Sequence, residues 1–88
     1  NALRNGLIDN DSLVRRFAVR AIAWRGEGWG FEAITPLLSD TAPEVRGAAV
    51  RALGQLDKQR ARALSEMVEL KNDAHPQVVR PIKTLFKP

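Results

Sequence analysis

Laying the chain over itself with an offset of 31 residues aligns Asp9 with Asp40, Val14 with Val45 and Arg15 with Arg46. The same offset carries Ala18, Val19, Arg20, Ala21 and Ile22 onto Ala49, Val50, Arg51, Ala52 and Leu53. An offset of 33 carries Asp40, Pro43 and Val45 onto Asp73, Pro76 and Val78, and Ala49, Ala52 and Leu53 onto Ile82, Leu85 and Phe86. A repeat of this length with helical periodicity marks a stack of helix pairs, none of which can bury its apolar face alone. With 88 residues, the chain is short for a single compact core, which at this size buries only about 60% of the unfolded surface. Stacked units avoid that limit by sharing a continuous apolar strip, and roughly three are needed for stability.

Read in order, the chain predicts six helices and no strands, since no run alternates with period two. Leu3, Leu7 and Ile8 suit a short first helix. Asp9-Asn10-Asp11-Ser12 then offers side chains that can accept the free N–H groups of a helix from about Leu13 to Arg25. In that helix Val14, Ala18, Ala21 and Ile22 mark one face, with Arg16 and Arg20 opposite and Phe17 and Trp24 flanking. Trp24 is expected to pack between units. Gly26, Gly28 and Gly30 form an inter-unit turn; a phosphate loop would need Gly-Lys-Ser/Thr after a strand. Phe31, Ile34, Leu37 and Leu38 keep helical spacing around Pro36, which is expected to kink the segment or delay its regular start. Thr41 with Glu44 reads as a capping box for a helix carrying Val45, Ala49, Ala52, Leu53 and Leu56 on one face. A single helix is expected from Lys58 to Lys71, burying Ala61, Leu64, Met67 and Val68. The last helix holds Val78, Ile82, Leu85 and Phe86 in register. Pro81 should kink it or postpone its regular start beyond residue 80.

The pattern D-x-x-x-x-V-R-x-x-A-x-x-A-L/I occurs as Asp9, Val14, Arg15, Ala18, Ala21, Ile22 and again as Asp40, Val45, Arg46, Ala49, Ala52, Leu53. It resembles the HEAT repeat family, in particular the short bacterial HEAT-like repeats first noted in phycobilisome lyases. The tetratricopeptide pattern W-x-x-L-G-x-x-Y is absent. The resemblance implies an all-α fold: an α-solenoid, a right-handed superhelix of three antiparallel helix pairs. The units would be about 1–25, 27–56 and 57–88 of one domain, residues 1–88. It also implies a structural ladder between units, for which Asp9/Arg15 and Asp40/Arg46 have the spacing. The third unit departs, with Val79 in the arginine position and Arg80 one place late. It reads as a terminal cap or the cut end of a longer array, and the ladder is not carried over to it.

Chemistry-bearing residues are few. There is no cysteine and one histidine, His75, in a turn before proline. The serines have no base near them in sequence, so neither catalysis nor a metal or cofactor site is expected, and the chain does not read as an enzyme. No apolar run is long enough to span a membrane. The absence of cysteine suits a reducing compartment, and a cytoplasmic location is expected. Fourteen Lys and Arg against ten Asp and Glu give a net charge of +4. The second helices concentrate that bias, with Glu44 as their only acid. By the resemblance these helices line the concave face. With Arg15 and Arg46 assigned to the ladder, Arg16, Arg20, Arg51, Arg80 and Lys83 form a candidate basic stripe, with Lys87 as a marginal member. Trp29 is a candidate anchor if exposed. Three roles follow. The first is a protein–protein interaction scaffold or regulatory segment, its partner acidic. The second is a segment binding nucleic-acid backbone, and the third a non-catalytic part of a larger enzyme such as a chromophore lyase. A solvated face with acids at helix starts and bases further along would give the same charge pattern.

Overall fold

Short polar side chains cap the first two helices of the chain. The computed structural model describes residues 1–88. Helix α1 spans Ala2–Gly6, with the Asn1 side chain accepting from the Arg4 N–H. Helix α2 spans Ser12–Arg25; Asp11 caps its start by accepting from the Leu13 N–H. Gly26 ends it in the left-handed region, φ 66°, where a residue without Cβ carries no steric cost. Helix α3 covers Gly30–Ile34 and passes into a 3-10 turn, Thr35–Ser39. The change of helix type falls at Pro36, which has no N–H to continue the α pattern. Helix α4 spans Pro43–Leu56, α5 Lys58–Ala63, α6 Ser65–Glu69 and α7 Pro76–Leu85; a second 3-10 turn covers Leu70–Asn72.

There are thus seven α-helices and two 3-10 turns, where periodicity predicts six helices. The extra break is at Leu64. Its backbone is extended, ψ 129°, and divides the expected Lys58–Lys71 helix into α5 and α6. The break also leaves Val68, expected in the core, exposed. The capping box does not form either: Ala42 is the residue before α4, and no side chain caps that end. Pro43 occupies the first position, where a missing N–H costs nothing, and Asp40 takes the Ala42 N–H at 2.9 Å.

Helix α4 is the centre of the molecule, packed between α2 on one side and α7 on the other. Helix α2 also contacts α1, α4 contacts α3 and the Thr35–Ser39 turn, and α7 contacts the Leu70–Asn72 turn, while α5 packs on α4. A single core cluster of 20 residues runs through all of them, with Val19, Ile22, Ile34, Leu38, Val45, Val50, Leu53, Met67 and Val78 fully buried. The expected α2 face is rotated. Val19 and Ala23 are buried beside Ala18 and Ile22, while Val14 is 39% exposed and Trp24 85% exposed. Trp24 therefore does not pack between units.

The α4–α7 contact departs from ordinary side-chain packing. Pro81 has no N–H to donate, so the Gln77 carbonyl lacks its usual partner four residues on. Helix α7 is nonetheless continuous from Pro76 and not postponed to residue 80. Gly47 of α4 faces that carbonyl: a Cβ at residue 47 would overlap the Gln77 oxygen, with Pro81 Cγ 3.7 Å away. The absent side chain is what permits the close backbone approach. At its far end α7 is latched by Arg62, whose Nε donates to the Leu85 carbonyl at 2.7 Å and Nη2 to the Lys87 carbonyl at 2.8 Å. This supplies donors to carbonyls that a helix end leaves free.

Candidate functional site

Arginines on α2 and α4 have opposite fates, decided by their position around the helix: Arg15 and Arg46 fall on one side, Arg20 and Arg51 on another. Arg15 and Arg46 turn toward the inter-helix turns. Arg15 Nη1 donates to the carbonyls of Asp9 (2.8 Å) and Asn10 (3.1 Å) in its own unit. Its Nε and Nη2 donate to both carboxylate oxygens of Asp40 in the next, at 2.8 and 2.9 Å. Arg46 repeats the arrangement one unit along. It donates to the carbonyls of Asp40 (2.8 Å) and Thr41 (3.3 Å), and to the Asp73 carboxylate at 3.0 and 3.4 Å. Both ion pairs are mostly shielded from solvent. The residue six positions before each arginine thus supplies a main-chain carbonyl, and the carboxylate comes from the following unit. Asp73 is part of the ladder although its own unit lacks the arginine, and the Asp9 carboxylate receives no guanidinium.

Each rung carboxylate also accepts a backbone N–H two residues on, from Ala42 and from His75. Burial pushes the Asp40 carboxyl up, but the Arg15 hydrogen bond, the Ala42 N–H and the two arginine charges outweigh it and hold it below its ordinary value of 3.8. Asp73 is likewise pushed up by burial and held low overall by the His75 N–H and Arg46. The Asp40 hydrogen bond raises Arg15 in turn. A carboxyl depressed in the folded state contributes stability that is complete above its unfolded value and lost as pH falls through the folded one. The thermal midpoint is therefore expected to stay level from pH 7 to about 5 and to fall below about pH 4. Asp40→Asn with Asp73→Asn should flatten that fall; an acid limb as steep as the parent's would remove the rungs as its cause.

Arg16, Arg20, Arg51 and Arg80 point the other way. They line one open groove of about 1160 Å³ across α2, α4 and the start of α7. None of the four has a salt bridge or side-chain hydrogen bond within the chain. Glu44 is the only acid on the groove wall. A smaller cavity of about 230 Å³ between α4 and α7 continues from it at Arg51 and Gln55. Two further sequence candidates lie elsewhere. Lys83 is exposed on α7 but does not line the groove. Trp29 is half-buried against the core, with the Arg4 guanidinium 4.4 Å from its ring centroid. Its ring is occupied by an internal cation, and it is no free anchor.

The groove contains two aromatic residues outside the expected stripe: Phe17, which flanks the apolar face in sequence, and Trp24, expected to pack between units. Phe17 is 69% and Trp24 85% exposed, and both rings border the arginines. Residues 17, 20, 21 and 24 follow the i, i+3, i+4, i+7 spacing of a single helix stripe. That spacing in combination with Arg20 was the available signal. A groove of this kind offers cationic hydrogen-bond donors and flat apolar rings. It has no nucleophile–base pair, and no group of three or more His, Cys, Asp or Glu is placed to hold a metal ion. No helix is long and apolar enough to cross a membrane. A family model described as HEAT repeats matches residues 1–82. No curated protein and no solved structure matches the chain.

Proposed function

The chain belongs to the HEAT repeat family, and on that premise we propose that it is a non-catalytic protein-interaction segment. In this reading the helix pairs form a right-handed solenoid, and its concave groove takes an acidic partner surface. The observation that carries the reading is the convergence of four unpaired arginines with exposed Phe17 and Trp24. Arginine and tryptophan are the side chains most enriched where interfaces concentrate their binding energy. Arginine forks hold carboxylates bidentately, and the rings supply contact area at low entropic cost. A groove of like charges with no internal partners also steers an oppositely charged protein during encounter.

The same rings beside the same cations also favour a second reading, single-stranded nucleic acid, whose bases stack on aromatic side chains while the backbone follows the positive groove. A salt titration separates the two. Against oligo-dT, log affinity should fall with log salt at roughly 0.7 per phosphate neutralised. An acidic amphipathic peptide bound through the rings should retain affinity at salt that releases the oligonucleotide. Arg20→Glu with Arg51→Glu is expected to weaken binding of the preferred probe by about 100-fold, at roughly 1.4 kcal/mol for each charge reversed. Unchanged binding of both probes in that variant would remove the groove as the site.

A further inference from the structure

The repeat makes its own internal control, because each position can be compared across three units. Val14, Val45 and Val78 are equivalent; the last two are fully buried, and Val14 is 39% exposed. Phe17 is equivalent to Ala48 and Pro81, which are buried. Ala21 is half-exposed where Ala52 and Leu85 are buried, and Leu3 is partly open where Ile34 and Met67 are fully buried. In units two and three these positions lie behind the preceding unit: α4 packs against α2, and α7 against α4. In unit one nothing lies in front of them. The exposed side of α2 is thus an apolar face with the composition of an inter-unit contact.

An independent polar feature sits on the same end. Asp9 is the equivalent of Asp40 and Asp73, each of which receives a guanidinium from the unit before it. Asp9 Oδ1 accepts the Asp11 N–H at 2.8 Å, just as Asp40 accepts from Ala42 and Asp73 from His75, both at 2.9 Å. The same local turn therefore orients all three carboxylates, and only that of Asp9 has no arginine.

We propose that this end of the molecule is a docking face for one further helix pair of the same repeat. That unit carries an arginine at the position of Arg15 and Arg46, bonded to Asp9, and small residues opposite Phe17. Gly54 stands opposite Leu85 in that way, with Leu85 Cδ1 3.1 Å from where a Cβ would be. A second copy of this chain is the wrong occupant. Its last helix has Val79 in the arginine position. The α7 positions equivalent to Gly47, Val50 and Gly54, which face α7 from α4, are the exposed cations Arg80, Lys83 and Lys87. Phe17 and Ala21 also line the groove, so an added unit would cover that edge of it, while Trp24, equivalent to the exposed Gln55, would stay open. The test below reads stability and the Asp9 rung, and so fails or succeeds separately from groove binding.

The test adds a unit and reads the rung. A copy of residues 27–64 is joined ahead of Asn1 in the full chain, which sets the copied Arg46 27 residues before Asp9, the separation of Arg46 from Asp73. Helical signal is expected to rise in proportion to the added residues, with one unfolding transition at a higher midpoint. Asp9→Asn preserves the acceptor of the local turn and removes the charge. It should leave the 88-residue chain unchanged within error and lower the midpoint of the extended chain by about 3–6 °C. Phe17→Glu should likewise be tolerated in the parent and damaging in the extended chain. An added unit that stays unfolded or melts separately overturns the proposal, as does an Asp9→Asn shift of equal size in both chains. Concentration-dependent self-association of the parent, abolished by Phe17→Glu, would give the face to a second copy and overturn it as well.

Discussion

Replacing Gly47 with alanine is expected to lower the unfolding midpoint by roughly 8–16 °C, although alanine is the better helix former. Two effects oppose each other. Exchanging glycine for alanine inside a helix gains about 1 kcal/mol of propensity. Overpacking a tight contact costs typically 1–3 kcal/mol, and more where the obstacle cannot move. Here the obstacle is the Gln77 carbonyl, part of the α7 backbone, so α4 and α7 must separate along their whole contact. The net loss is about 2 kcal/mol, and each kcal/mol is worth roughly 4–8 °C in a domain of this size. Gly54→Ala is the control, because its new methyl meets only the end of the flexible Leu85 side chain. Pro81→Ala restores an N–H that can draw the Gln77 carbonyl back into α7, so it should recover part of the Gly47→Ala loss. A Gly47→Ala midpoint within 3 °C of the parent would mean that the helices are not in backbone contact.

The other large effect is expected at Arg46. Arg46→Met keeps an apolar stem and removes donors from the Asp73 carboxylate and from the carbonyls of Asp40 and Thr41. Removing one partner of a shielded, hydrogen-bonded ion pair leaves the other charge desolvated and unpaired. At the partial exposure of this pair the loss is about 2–3 kcal/mol, below the range for full burial. Arg46→Lys should rescue little. A lysine has one ammonium where the site uses a fork reaching two carbonyls and a carboxylate in different units. Adding Asp73→Asn to Arg46→Met should restore part of the loss by removing the orphaned charge, and denaturant midpoints measure both steps. If the two substitutions prove additive, Arg46 and Asp73 are not energetically coupled.

The all-helical architecture and the repeat were legible because helical periodicity and capping residues act locally, and Asp9, Asp40 and Asp73 mark every unit turn. The break at Leu64 was not. Neither glycine nor proline stands there, and an extended residue between two short helices leaves no compositional trace. The rotation of α2 was missed for a different reason. A helical wheel gives the direction of the apolar face but does not distinguish a stripe covered by a neighbouring unit from one left open at the end of a stack. Trp24 and Phe17 look like packing residues by type, and only the position of α4 decides otherwise. The ladder shows the same limit. A spacing of six residues relates each arginine to a carbonyl in its own unit, whereas its carboxylate partner lies 25 or 27 residues ahead. Arg16, Arg20, Arg51 and Arg80 could be chosen as a stripe from sequence because they fall on the second helices. Lys83 satisfied the same rule and still misses the groove, since the opening ends near the first turns of α7.

The backbone contact between Gly47 and Gln77 also distributes stiffness unevenly. A side-chain contact between helices can be re-made in another staggered rotamer after a small displacement; two main chains in contact have no side chain to adjust. Helices α4 and α7 therefore behave as one block, with the separation of Arg51 from Arg80 held like marks on a ruler. Helix α2 rests on α4 through side chains, with its other side uncovered. Compliance is expected there, and relaxation measurements should find the arginines and rings that α2 contributes to the groove more mobile than Arg51 and Arg80.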